Sequence, residues 1–390
     1  MLRHRRWPAV IAALVLGLAM SGCAAPLPGR TDANLPGEAE LLSGEALFGS
    51  PVSASELPDR DVRGLDDEMR AFVQGAILGA QTHDARLQQL LEAMMRTGLF
   101  ALDYQNEQTL TASETFHGGV GNCLAFTNLF VALAREARLD VSYQQVQVPD
   151  LWTGDGDIAL LNQHVNVRVR DAGSRRFPPG HQDVDFNLPG LRSSYSQRPI
   201  SDSHVDALFY NNLGAQAIQA GNPREAFVYF LKAIYTNEDV AATWSNLGVL
   251  YHRNDRPEHA ESAFHRALQA DPRHRPAMSN LSRLYEQQGL TALAEMYQAR
   301  IRSHQQRNPY YHLFLSEQAY ADGRSDDALD AINQAIRLRR EEHLFHYMRA
   351  VILARVGQID ASKASLESAR EYATVSQTRN LYDRKLRALH

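Results

Sequence analysis

Small residues recur every 34 positions from residue 207 onward, and this spacing constrains the C-terminal half of the 390-residue chain more than any other feature. With unit starts at 207, 241, 275, 309 and 343, the eighth position reads Gly214, Gly248, Ser282, Ser316 and Ala350. The twentieth reads Ala226, Ala260, Ala294, Ala328 and Ser362. Only small side chains fit where two helices cross at close range. The fifteenth position reads Gly221, Asp255, Gly289, Gly323 and Gly357, as expected where a left-handed residue closes one helix before the next begins. A single helical hairpin cannot bury its apolar face, so five in register predict an all-α superhelix over 207–376.

The second unit carries Trp244, Leu247, Gly248, Tyr251, Ala260, Phe264, Ala267 and Pro272. In this pattern the array resembles the tetratricopeptide repeat family. That resemblance implies a concave groove that takes a protein or peptide partner. Asn212, Asn246 and Asn280 recur at the sixth position and are the groove candidates; they are also common in the family pattern. No Lys or Arg cluster at neighbouring positions completes a carboxylate clamp. The fifth unit degrades, with Arg349 where Leu is expected, and residues 377–390 are expected to form a polar capping helix.

The N-terminus reads as a targeting segment. Met1–Trp7 are basic, and Ala9–Met20 form an apolar run too short to span a bilayer. Ala19-Met20-Ser21-Gly22-Cys23 resembles the lipobox of bacterial lipoproteins. The resemblance implies removal of residues 1–22 and lipidation of Cys23, a palmitate-type anchor strong enough to hold the chain at a membrane. Ala24 stands where retention in the inner membrane would call for Asp, so the expected location is the periplasmic face of the outer membrane. Residues 23–60, rich in Pro, Gly and Ser, read as a flexible stalk.

Net charge is −5, and removing residues 1–22 with Arg3, Arg5 and Arg6 takes it to −8. An acidic body offers no electrostatic footprint for nucleic acid. The only cysteines are Cys23 and Cys123. With the first lipidated, Cys123 is a lone thiol in an oxidising compartment and forms no internal disulfide. A small buried hydrophobe is the plain explanation for such a residue. Its surroundings suggest another.

Gly118-Gly119-Val120-Gly121-Asn122-Cys123 leads into an apolar helix over Leu124–Ala137, with Asn122 as the cap. Cys123 thus falls at a helix N-terminus, where the dipole and free N–H groups favour negative charge on sulfur. Residues 160–169 alternate as a strand, with Val165, Val167 and Val169 on one face and His164, Asn166 and Arg168 on the other. Asp183-Val184-Asp185-Phe186 alternates again, so that either aspartate can stand beside His164. Residues 191–206 read as an interdomain linker.

The stretch 61–190, through TLTASETF, GGVGNC, QHVNVRV and DVDFN, resembles the transglutaminase-like superfamily. This implies an α+β papain-like domain with Cys123 as nucleophile, His164 as general base and then acid, and Asp185, or alternatively Asp183, orienting the imidazole. No Asp-Pro follows the second strand, a departure from many relatives. Tyr104 is the oxyanion candidate. No metal spacing and no cofactor motif occur. The expected function is an envelope-anchored cysteine acyl-transfer enzyme, a peptide or isopeptide hydrolase or a protein-glutamine acyltransferase, with a protein-binding repeat arm. The alternative is a non-catalytic envelope scaffold that uses the same fold for binding.

Overall fold

A computed structural model of the protein describes residues 35–99, 103–104, 108–146, 164–170, 181–185, 197–373 and 376–389. The expected signal peptide over 1–22, Cys23 and the stalk residues up to 34 lie outside the described residues.

From Pro36 the chain does not run free as a stalk. Helices α1 (Glu38–Ser43) and α2 (Glu45–Phe48) and a 3-10 turn over Ala54–Glu56 form a strap across the first two repeats. Leu41 is fully buried there, which by itself stabilises the contact by about 2 kcal/mol. The Leu41 carbonyl accepts from the Tyr251 hydroxyl at 2.6 Å, and the Pro36 carbonyl accepts from Ser262 Oγ at 2.6 Å. Glu38 pairs with Arg266 and Glu56 with Arg224. The flexible-stalk expectation is therefore corrected over 36–57: apolar residues between the Gly and Pro breakers find a face on the repeats.

Next come α3 (Asp67–Ala76) and α4 (His83–Arg96), with Thr82 capping α4 where the sequence breaks the helical run. The short strand β1 (Asp103–Tyr104) pairs in parallel with β2 (Val120–Gly121). Between them lies α5 (Ala112–Gly118), opened by a capping box of Thr111 and Glu114. The apolar helix α6 (Cys123–Glu136) follows, buried on all sides from Leu124 to Ala134.

Strands β3 (Val141–Val146), β4 (His164–Arg170), β5 (His181–Val184) and β6 (Gln197–Ile200) form an antiparallel sheet in the order β5-β4-β3-β6. Val167 pairs with Val184, and Tyr143 pairs with Val167 from the other side, all buried. The Thr127 hydroxyl of α6 donates to the Cys123 carbonyl at 2.7 Å and lies 3.2 Å from the Val165 carbonyl, which fixes the helix on β4.

The expected linker over 191–206 is also corrected. Residues 197–200 are the edge strand β6, and Pro199 is tolerated because it sits at the sheet edge. One capping residue later, Ser201, the chain enters α7 (Asp202–Gln219). Arg63 grips Asp206 with two bonds of 2.6 and 2.8 Å, and Arg135 of α6 grips Asp202. Val205, Leu208, Phe209 and Leu213 of α7 belong to the same apolar cluster as α3, α4, α6 and the sheet. The α/β layer and the first repeat share one core.

The five hairpins are α7 with α8 (Pro223–Thr236), α9 (Ala241–Arg253) with α10 (Pro257–Ala270), α11 (Arg275–Gln287) with α12 (Thr291–Arg307), α13 (Pro309–Ala321) with α14 (Ser325–Leu338), and α15 (His343–Arg355) with α16 (Ile359–Tyr372). They form a superhelix of tetratricopeptide-like hairpins. Helix α17 (Ser376–Ala388) packs on α16 through the buried Tyr382.

The small positions act as the spacing requires. A Cβ on Gly214 would lie 2.5 Å from the Phe230 ring, and one on Gly248 2.5 Å from the Phe264 ring. Where the eighth position is Ser, the hydroxyl bonds the facing helix: Ser282 donates to the Ala294 carbonyl and Ser316 to the Ala328 carbonyl. In the fifth hairpin the bond reverses, and Ser362 donates to the Ala350 carbonyl.

Candidate active site

Helix α6 presents Cys123 as its first residue because Asn122 stops the chain from continuing in helical geometry. The Asn122 backbone is extended, and its Oδ1 accepts from the Ala125 N–H at 3.0 Å. Gly121 precedes it at φ 155°, and a Cβ there would lie 2.9 Å from the Ala125 Cβ. The glycine run is thus the tight entry to the helix, and Cys123 is half-buried and free of a disulfide.

His164 opens β4. Its Nε2 lies 2.7 Å from Asp185 Oδ1 and 2.8 Å from Oδ2. Cys123 is the other neighbour whose side chain acts on the imidazole. The ring is 3% exposed. Burial disfavours the imidazolium, but the hydrogen bonds to Asp185 and Cys123 and their negative charges outweigh it, raising the His164 pKa to about 9. A ring held this way is mostly protonated at neutral pH.

The face of β4 carrying His164 is therefore not a solvated polar face, since Asn166 beside it is 2% exposed. Of the two aspartates, only Asp185 meets the imidazole. Asp183 sits opposite Arg168 in the sheet register and is held by Arg168 Nε and Nη2 at 2.8 and 2.9 Å. Tyr104 is placed by its backbone next to Gly121 in the β1–β2 pair; its side chain lies outside the described residues. Among the described residues, no group of three His, Cys, Asp or Glu side chains is arranged to hold a metal ion.

The groove asparagines separate. Asn246 is buried, and its Nδ2 donates to Asn211 Oδ1 at 3.0 Å. Ser245 and Val249 on the same helix are buried as well. Asn246 is thus used inside the protein and is withdrawn as a partner-gripping residue; Asn212 and Asn280 stay half-buried. Sequence reasoning missed Thr109, whose hydroxyl accepts from Asn122 Nδ2 at 2.7 Å and from Gln216 Nε2 at 3.0 Å. No local pattern signals a contact between residues so far apart.

Residues 241–274 match the family model of the tetratricopeptide repeat. This hairpin is a tetratricopeptide repeat. The photosystem I assembly protein Ycf3 of Prochlorococcus marinus subsp. pastoris is 26% identical over 94 residues, covering 23% of this chain and 54% of that protein. The chain thus spans about half the length of the curated relative it matches. Among solved structures, PilF of Pseudomonas aeruginosa is 16% identical, with 49% of this chain and 94% of that one covered at a TM-score of 0.26. YrrB, described as a TPR protein with an unusual peptide-binding site, is 17% identical, with 47% and 94% covered at a TM-score of 0.25. The tetratricopeptide hairpins give the protein an arm of the kind that takes part in protein–protein contact.

Proposed function

We propose that the protein is an envelope-anchored thiol enzyme of the transglutaminase-like class, held by a lipid on Cys23 at the periplasmic face of the outer membrane and guided to protein substrates by its repeats. The observation that supports this is the arrangement of His164 between Cys123 and Asp185. A nucleophile on a helix N-terminus, a base on a strand and a carboxylate behind the base have the relative roles that covalent acyl transfer needs.

Cys123 attacks as the thiolate, paired with the His164 imidazolium. Its sulfur bonds the carbonyl carbon of a peptide or isopeptide amide. The backbone N–H of Cys123, on the first turn of α6, stabilises the oxyanion. The C–N bond then breaks, and His164 gives its proton to the departing amine, leaving a thioester. Neutral His164 next takes a proton from water or from an acceptor amine as that nucleophile attacks. The acyl group leaves as an acid or a new amide, and the sulfur returns to the thiolate beside the imidazolium. Asp185 holds the ring and its charge throughout.

In the first two hairpins Asn211, Ser245, Asn246 and Val249 are buried. Of the groove candidates, Asn212 and Asn280 are the ones left to take a partner. The test is labelling of the folded protein with iodoacetamide at pH 6, followed by peptide mapping. Rapid alkylation of Cys123 that slows in His164→Ala supports the thiol site. Alkylation of Cys123 only after unfolding would leave a scaffold with a buried thiol. Trapping with an activity probe in envelope extracts then identifies the acyl donor.

A further inference from the structure

We propose that Gln216, on the first helix of the repeat array, is a positioning residue for the Cys123 site. This rests on the thiol-site reading above. The Thr109 hydroxyl oxygen has two lone pairs and accepts two amide donors, Asn122 Nδ2 at 2.7 Å and Gln216 Nε2 at 3.0 Å. Thr109 and Asn122 are 2% and 6% exposed, so water does not readily replace either partner.

These contacts decide which way the Asn122 amide points. With Nδ2 fixed on Thr109, Oδ1 is the end turned to the Ala125 N–H, which is the cap that begins α6 at Cys123. The Asn122 N–H donates to the Gln108 carbonyl at 2.9 Å, so segment 108–109 holds segment 121–122 through backbone and side chain together. Gln216 ties segment 108–109 to the repeats. The chain of contacts from Gln216 through Thr109 and Asn122 to the first turn of α6 makes the repeat array part of the site's frame. Helix α7 is rigidly held for this purpose by Asp202 and Asp206 on Arg135 and Arg63.

Two variants of the full mature chain test this. Gln216→Leu keeps the volume and removes the donor. Gln216→Glu keeps a tie, because its carboxylate accepts the Thr109 proton while the hydroxyl oxygen still accepts from Asn122. In Gln216→Leu, iodoacetamide labelling of Cys123 should slow about five-fold, the effect of one buried hydrogen bond. Gln216→Glu should restore it. Hydrogen exchange of the peptide covering 119–130 should rise in Gln216→Leu and return toward the wild-type rate in Gln216→Glu. Unchanged exchange in Gln216→Leu, or equal slowing in both variants, overturns the positioning role. Slow labelling in the wild-type protein itself sinks the thiol-site reading, and the exchange measurement still decides whether Gln216 positions α6.

Discussion

His164 Nε2 meets both carboxylate oxygens of Asp185, whereas Asp183, two residues earlier, is paired with Arg168. Alternate residues of one extended segment thus have separate tasks, and substitution should separate them. Asp185→Asn removes a charge-assisted bond worth about 2 kcal/mol and should slow Cys123 labelling at pH 7 at least about ten-fold. Asp183→Asn should leave labelling within about two-fold of wild type. Its Arg168 pair is roughly a quarter to a third exposed, so loss of the pair costs no more than about 1 kcal/mol. Equal effects of the two substitutions on labelling would contradict the assignment.

The raised His164 pKa has a consequence for stability. An unfolded histidine titrates near 6.5, and the folded one near 9. The fold therefore prefers the protonated ring, and this contribution is complete below pH 6.5. It is lost as pH rises through about 9. Thermal unfolding of wild type and His164→Ala from pH 6 to pH 10 should show the Tm gap between them narrowing toward the alkaline end. A gap that widens there would mean that burial, rather than Asp185 and Cys123, sets the ring's protonation.

At Gly248 two effects oppose. Ala gains about 1 kcal/mol of helix propensity over Gly. Its Cβ, however, would stand 2.5 Å from Phe264 Cε1, and overpacking of this kind costs about 1–3 kcal/mol. Gly248→Ala should therefore lower the urea midpoint, and adding Phe264→Leu should recover part of the loss. A midpoint raised by Gly248→Ala alone would show that the two helices separate easily.

The repeats were legible because their rules are local and repeated. Gly with Phe in the first two hairpins, and Ser bonding the opposite carbonyl in the next two, are two answers to one close crossing. That Asp185 could stand beside His164 was legible from two alternating segments, with Asp183 the equal alternative there. What stayed hidden depends on contacts distant in sequence. Nothing near residue 41 shows that Leu41 will be buried against Tyr251, and nothing near 246 shows that Asn246 will be spent on Asn211. The boundary at 191–206 was misplaced for a related reason. Pro199 and the surrounding serines suit an edge strand and a helix cap as well as they suit a linker.

Asp255 holds the left-handed turn position at φ 55° that glycine occupies in the other four hairpins. An L-residue pays roughly 1–2 kcal/mol there, less for Asp than for most. Glycine's extra unfolded-state entropy offsets part of the gain. Asp255→Gly should stabilise the protein by about 0.5 kcal/mol, seen as a rise in Tm of a degree or more by calorimetry. A lower Tm would show that the Asp255 side chain contributes more than its backbone costs.

The strap offers a test of local rather than global stability. Leu41 is its fully buried anchor, and truncation to Ala in a packed site costs about 2–5 kcal/mol. Beyond that anchor and the Tyr251 and Ser262 bonds, the strap adds partly buried Leu42, Leu47, Phe48 and Val52 and a bond from Arg256 Nε to the Ala46 carbonyl. All lie within one short segment, so most of the loss should appear as opening of residues 36–57. Limited proteolysis should cut Leu41→Ala within this segment well before the repeats unfold, while the main thermal transition moves little. Tyr251→Phe removes only the hydroxyl that donates to the Leu41 carbonyl, a loss of about 1 kcal/mol, and should give intermediate protection. Cleavage of Leu41→Ala that coincides with global unfolding would show that the strap and the first two hairpins form one cooperative unit.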